Sequence, residues 1–224
     1  MAMTPSFDPI LAAAQARHGP ALAARLPQPR SAAELQAVGD DRYLSQMSLR
    51  IFRAGLRHSL VDAKWPAFEE VFHGFDPRRV RAMPDEALEA LLADRRLIRH
   101  WGKIAAVRDN AAAMLTVAAE HGGFGAWLAA WPATDTVGLW EALMKRFRQM
   151  GGNSGASFLR MVGKDTFLLT PSVVAALRHW GAALTPPKSR KERILVQSHF
   201  NAWAAETGRP LCHLSLILAA SAEE

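Results

Sequence analysis

The sequence has a single cysteine, Cys212, and a single tyrosine, Tyr43, in 224 residues. One cysteine excludes an intramolecular disulfide and any metal site built from several thiolates. No apolar run approaches the ~20 residues of a membrane-spanning helix. The opening Met1-Ala2-Met3-Thr4-Pro5-Ser6-Phe7 lacks the basic start of a secretory signal. No stretch sustains the period-two alternation of a half-buried strand, and no internal repeat is visible. Half of the residues are hydrophobic, and Lys and Arg outnumber Asp and Glu by 27 to 21, a net charge of +6. These features point to a soluble, cytoplasmic, all-α protein without a membrane partner. The basic surplus suits a polyanion and serves plain solubility equally well.

Helix punctuation is dense. Residues 1–39 are rich in Ala, Pro and Arg and read as a loosely specified N-terminal extension, with a short helix from Asp8 to His18. Ser31 and Glu34 have capping-box spacing. From Asp40 a single domain, 40–224, is expected. Leu44, Met47, Ile51 and Ala54 share a helical face that ends at Gly55. Helices are further expected over about 65–72, after Asp76-Pro77, after Met83-Pro84, from Ile104 to His121, and over 124–131. Later ones are expected over 137–150, 154–163, from Thr170 to about Leu184, up to Thr207, and from Pro210 to Ala220, about ten in all.

One stretch carries recognisable chemistry. An amphipathic run stops at Gly151-Gly152-Asn153-Ser154-Gly155, and a second run with Phe158, Leu159 and Val162 begins at once. Glycines at a helix exit followed by a new helix start present a concave set of N–H donors suited to phosphate. That is the form of a helix–hairpin–helix, and equally of an ordinary corner between helices. Asp165 follows, either as a functional acid or as a turn or capping residue.

Several separated segments occur in a specific order: Arg53-Ala54-Gly55-Leu56, Phe72-His73-Gly74-Phe75-Asp76-Pro77, Val80-Arg81-Ala82-Met83, and Ile98-Arg99-His100-Trp101-Gly102-Lys103-Ile104 with Asn110. Together they resemble the DNA-3-methyladenine glycosylase I family of the helix–hairpin–helix superfamily, over about residues 40–167. The resemblance implies two helical lobes with a base pocket between them. It also implies excision of an alkylated purine from damaged double-stranded DNA by hydrolysis of the N-glycosidic bond of a flipped nucleotide. A monomer associated with the nucleoid is expected.

The resemblance assigns roles. Gly151, Gly152, Asn153, Ser154 and Gly155 would hold the DNA backbone, and the hairpin carbonyls could hold a monovalent cation. No lysine occurs between Arg146 and Met161, so the hairpin lacks the amine of a lyase and the expected enzyme is monofunctional. Gly55 and Leu56 match a wedge loop that fills the gap left by the flipped nucleotide, the alternative being a buried helix-end leucine. Arg57 would contact a phosphate, the alternative being a solvated surface arginine. Asp165 would stabilise the sugar cation. Arg50, His58 and Tyr43 would line the base pocket, although Tyr43 also fits a core position.

Two pocket positions depart from the family. Arg50 stands where the family carries a glutamate, and His58 where it carries a stacking tryptophan. A guanidinium only donates hydrogen bonds and would oppose a cationic base. These departures admit another damaged base, or a non-catalytic helix–hairpin–helix module that binds damaged or bent DNA. The family's Cys/His zinc site has no N-terminal cysteine here, and adjacent Cys212-His213 lack ligand spacing, so no zinc is expected. Packing of the N-terminal extension on the last helices would close the fold instead.

Overall fold

A computed structural model describes residues 4–183 and 185–222. All regular structure among them is helical. The helices are α1 (Asp8–His18), α2 (Pro20–Ala24), α3 (Ala32–Ala37), α4 (Asp40–Arg53), α5 (His58–Val71), α6 (Pro77–Arg81), α7 (Asp85–Ala90), α8 (Trp101–His121), α9 (Phe124–Ala130), α10 (Thr136–Arg146), α11 (Ser154–Met161), α12 (Pro171–His179), α13 (Arg190–Thr207) and α14 (Leu211–Ser221), with one 3-10 turn at His73–Phe75. No described helix is long and apolar enough to cross a membrane.

The capping residues behave as their chemistry dictates. Ser31 and Glu34 form a complete capping box at α3, as do Ser189 and Glu192 at α13. Asp76 and Thr170 accept backbone N–H groups at the starts of α6 and α12. Gly122 and Gly208 end α8 and α13 in the left-handed conformation. Asp40 and Asp41 open α4, and Arg50 and Arg53 sit in its last turn, each sign at the dipole end that favours it.

Some boundaries moved. Helix α5 begins at His58 rather than near Trp65 and carries Pro66 inside it. Helix α10 ends at Arg146, four residues before the predicted Met150. Helix α12 ends at His179, and the predicted end at Leu184 lies outside the described residues. The structure has more helices than the ten expected, because short ones such as α2, α6 and α7 carry too little periodicity to be counted separately.

The chain forms two compact units. One takes the described residues of Met1–Pro29, Pro132–Leu139 and Asp165–Glu224; the other takes Arg30–Trp131 and Trp140–Lys164. These units are drawn on other boundaries than the expected extension of 39 residues and following domain. In the first unit α1, α12 and α13 all pack on α14. Phe7, just before α1, and Ile10 and Ala14 on its inner face are fully buried, and Phe7 meets Trp203 at 5.4 Å between ring centroids. Trp203 Nε1 donates to the Pro5 carbonyl at 2.7 Å, and Phe167 stacks on Phe200 at 4.3 Å. A fully buried phenylalanine contributes about 1.5–3 kcal/mol, so the N-terminal segment is a structural part of this unit. Its face was hard to read because alanine supplies little hydrophobic contrast.

The second unit is organised on α8, whose buried line runs Ile104, Val107, Asn110, Ala111, Met114, Val117. Helices α4, α6 and α9 pack against it, and α11 packs against α4. An aromatic stack of Phe52, Trp65, Phe68, Phe72 and Phe75 fills the region beside α4 and α5.

Candidate nucleic-acid interface

Three loops of the second unit are tied together at the first turn of α8. The first follows α4. There the chain turns through Ala54-Gly55-Leu56-Arg57 before α5 starts at His58. The Lys103 ammonium, from α8, donates to the Ala54 carbonyl at 2.7 Å and to the Phe52 carbonyl at 3.3 Å. The end of α4 is thereby fixed, while the loop tip is left outside. Leu56 is 39% exposed, which removes the alternative of a buried helix-end leucine. Gly55, Arg57 and His58 are exposed too.

The second loop is the turn from α10 to α11. Here Gln149 has φ +63 and Gly152 φ +57, so two left-handed residues reverse the chain within a few positions. Glycine tolerates that conformation without steric cost, and Gln149 requires outside support. That support is visible: the Gln149 Nε2 donates to the Gly102 carbonyl at 3.2 Å. Buried Asn110 accepts from the Arg148 N–H at 2.7 Å and donates to the Arg148 carbonyl at 3.2 Å. The Ser154 N–H donates to the Gly151 carbonyl, and the Asn153 carbonyl accepts from Ser157, so α11 starts directly from the turn. Gly155 lies close to the Met150 carbonyl, where a Cβ would come within 3.3 Å. Gly152 and Asn153 are exposed at the tip. The predicted helix–hairpin–helix geometry is thus present, with its tip open to solvent. Arg148 and Gly151 carbonyls already accept one N–H each, so a monovalent cation on the hairpin carbonyls would use second lone pairs or the neighbouring oxygens.

The third loop leads into α8. His100 caps the helix through its ring, accepting from the Lys103 N–H. Trp101, the first residue of α8, is 43% exposed.

Arg50 lies one turn before Ala54. Its Nε is buried and has no hydrogen-bond partner among the described residues. Burial, and then the charge of Arg53, push its pKa below the usual guanidinium value. Burial, and then Arg50, lower that of Lys103. Arg53 is balanced by Asp62 at 2.7 Å.

Tyr43 and Asp165 each take up the structural reading that the sequence left open beside the functional one. Tyr43 is wholly buried, its hydroxyl donating to the Leu35 carbonyl at 2.7 Å and its ring against Phe124. Burial raises its pKa to about 12. It is a core residue and not part of a base pocket, because its one polar atom is spent inside the fold. Asp165 belongs to the other unit and caps α14, its two oxygens accepting from the Leu211 and Cys212 N–H groups at 2.8 Å each. The capping reading thus accounts for one hydrogen bond on each oxygen and leaves each a further lone pair. Cys212 and His213 both turn toward the Pro27 carbonyl, with His213 Nε2 donating at 2.8 Å.

Lys103, Asn110 and Gln149 carry the polar links of this face, and sequence reasoning gave none of them a role. A readable signal existed for Asn110, a carboxamide on the apolar face of α8. Gln149 was hidden inside a predicted helix.

Comparison with known proteins places these features. The sequence profile of the methyladenine glycosylase family matches residues 35–151. DNA-3-methyladenine glycosylase 1 of Escherichia coli is 44% identical over 63 residues, which are 28% of this chain and 34% of that protein. The Haemophilus influenzae DNA-3-methyladenine glycosylase is 35% identical over 65 residues, 29% of this chain and 35% of its own. The alignments thus span about a third of the length of these curated relatives. A crystal structure of 3-methyladenine DNA glycosylase I aligns with TM-score 0.52 at 26% identity, covering 71% of this chain and 90% of that one. The Methanocaldococcus jannaschii 8-oxoguanine glycosylase/lyase, solved with DNA containing 8-oxoguanine, aligns with TM-score 0.54 over 93% of this chain and 94% of its own, at 14% identity, a likeness of fold alone. The matched profile takes in just over half of the chain and all three loops of the interface up to Gly151, and the protein belongs to the methyladenine glycosylase family.

Proposed function

We propose that this protein is a monofunctional DNA glycosylase of base-excision repair, which hydrolyses the N-glycosidic bond of a flipped, damaged purine in double-stranded DNA. The observation that carries this reading is the joining of the Leu56 loop and the 147–153 hairpin through the first turn of α8. In this reading the hairpin amides and Arg57 hold phosphates and fix register without reading sequence. Leu56 enters the stack where the nucleotide has left it, which offsets part of the unstacking cost. A water molecule adds to C1′ as the base departs with the bonding electron pair. Asp165, oriented by two amides, is the carboxylate we assign to the positive sugar. Lys103 is turned to the carbonyls of Phe52 and Ala54, and no lysine lies between Arg146 and Met161, which supports water as the nucleophile. Nothing in this scheme routes a step through a metal ion.

The test is direct. Incubation with DNA treated with a methylating agent, and with oligonucleotides carrying single damaged purines, should release free base and leave alkali-labile sites. Strand cleavage without alkali would overturn the monofunctional assignment. A second reading, a non-catalytic module that grips damaged or bent DNA, is favoured by the engagement of both Asp165 oxygens in capping. It predicts tight binding to a tetrahydrofuran abasic-site analogue with no release from any substrate.

A further inference from the structure

Exposed apolar side chains gather round the three loops of the interface. Among the described residues the large ones that are exposed are Leu56, Leu60, Trp101, Met144, Ile194 and Leu195. Leu56 and Leu60 flank the start of α5, and Trp101 opens α8. Met144 comes within 3.8 Å of the place a Cβ on Gly151 would take. A single exposed apolar residue is ordinary, whereas a group of them around one set of loops marks a surface that meets a partner.

Trp101 is the largest of the group, and it is 43% exposed. Trp65, Trp127, Trp180 and Trp203 lie against other rings, and Trp101 meets none among the described residues. Its backbone position, by contrast, is held from two sides. The carbonyl of Gly102, the next residue, accepts from Gln149 of the hairpin. Lys103, two residues on, holds the Leu56 loop at the Ala54 carbonyl. Trp101 thus carries an open indole at the junction of the hairpin and the Leu56 loop. Arg57 and Arg99, in the adjoining loops, are exposed cations, which suits a polyanion.

An indole on a cationic surface matches a nucleobase, and stacking accepts any of the four because each has a π-face. The damaged base is taken into an enclosed pocket, which an exposed side chain does not form. The base it leaves behind stays in the duplex without a pairing partner. One leucine side chain covers too little area to replace both members of a base pair. We propose that Trp101 is a positioning residue that stacks on the unpaired base of the complementary strand, while Leu56 fills the gap in the damaged strand. This rests on the reading above that a nucleotide is flipped. The contact is sequence-tolerant, as a repair enzyme that meets every sequence context requires, and it holds the duplex open while the damaged base is out of the stack.

The experiment measures binding of the wild type, Trp101→Ala and Trp101→Phe to two duplexes. One carries a tetrahydrofuran abasic analogue opposite thymine, and the other carries it opposite a second tetrahydrofuran. Proteins are compared on the same duplex, so the greater flexibility of the doubly abasic site cancels. Trp101→Ala should lower affinity for the first duplex by about 5–100-fold, the range for one stacked base, and leave the second unchanged. Trp101→Phe should restore part of the loss, and it keeps the test open if the alanine variant melts at a lower temperature. With 2-aminopurine opposite the abasic analogue, the wild type should quench its fluorescence and Trp101→Ala should not. Equal losses on both duplexes would make Trp101 a support for the loops and overturn the proposal. A loss of excision with abasic-duplex binding intact would put the indole on the damaged base and overturn it too. Absence of base release from every damaged duplex, with the stacking pattern present, would overturn the glycosylase reading alone. Failure to bind either duplex would overturn both.

Discussion

The carboxamide of Asn110 closes on the backbone of Arg148 from both sides, accepting its N–H at 2.7 Å and donating to its carbonyl at 3.2 Å. A side chain in the middle of α8 thus acts as the missing backbone partner for the first residues of the hairpin. Asn110→Leu keeps the volume and removes both bonds, leaving two backbone groups unpaired at about 1–3 kcal/mol each. Urea unfolding should show that loss. DNA affinity should fall while its salt dependence stays the same, because no phosphate contact is removed. A variant as stable as the parent would show that the hairpin holds itself.

Arg50 predicts a stability change of the opposite sign. Replacing an unpartnered buried donor by an apolar side chain of similar length removes a penalty and breaks no bond. Arg50→Met should raise the midpoint of urea unfolding by about 1 kcal/mol equivalent, whatever it does to excision. A loss of stability would mean that Arg50 has an unrecognised favourable contact in the unliganded protein.

The exposed Leu56 loop should separate function from folding. Leu56→Ala removes a side chain that is 39% exposed, so stability should stay within about 0.5 kcal/mol of the parent. Excision from a fully paired duplex should fall, and excision from a lesion opposite a gap should fall much less, because there the stack is already open. Equal losses on both substrates would remove Leu56 from the flipping step.

Much of this was legible in the chain. Caps at Ser31, Asp76, Thr170, Gly122 and Gly208 were readable because each is a local contest between a side chain and a few backbone groups. The hairpin was legible from the ordered family motifs around it, since its glycines alone fit a plain corner equally well, and the Leu56 loop was legible from its motif. Less legible were the contacts between residues far apart in sequence. Nothing local says that Lys103 would hold Ala54, that Gln149 would reach Gly102, or that Phe7 would meet Trp203. Tyr43 stayed open between core and pocket for the same reason, since only the fold shows that its hydroxyl ends at Leu35. Asp165 was found, but its cap on α14 was invisible, because Leu211 lies 46 residues away.

Asp165 carries a prediction in two parts. Asp165→Asn leaves one oxygen and turns an amide donor toward a backbone N–H, so α14 loses part of its cap, at about 0.5–2 kcal/mol. At a temperature where the variant remains folded, excision should fall by about 100-fold or more, the usual cost of removing one group that faces a developing charge. Abasic-duplex binding should persist. An unchanged rate in folded protein would leave Asp165 as a cap alone.

The first unit has a built-in response to acid. His199 is 2% exposed, with its Nδ1 2.8 Å from the Thr4 hydroxyl and its ring beside Trp203. Burial lowers its pKa below the ordinary value of 6.5. In the unfolded chain this histidine takes up a proton near 6.5, while in the folded protein it does so only at lower pH. Between those two values the unfolded state binds more protons, so stability falls as pH drops through the window and levels off below it. His199→Gln retains an acceptor for Thr4 and does not titrate. The melting temperature of the wild type should therefore fall more than that of the variant between pH 6.5 and about 5, above the range where ordinary carboxylates titrate. Parallel melting curves for the two proteins across that interval would show that His199 binds protons equally in the folded and unfolded states.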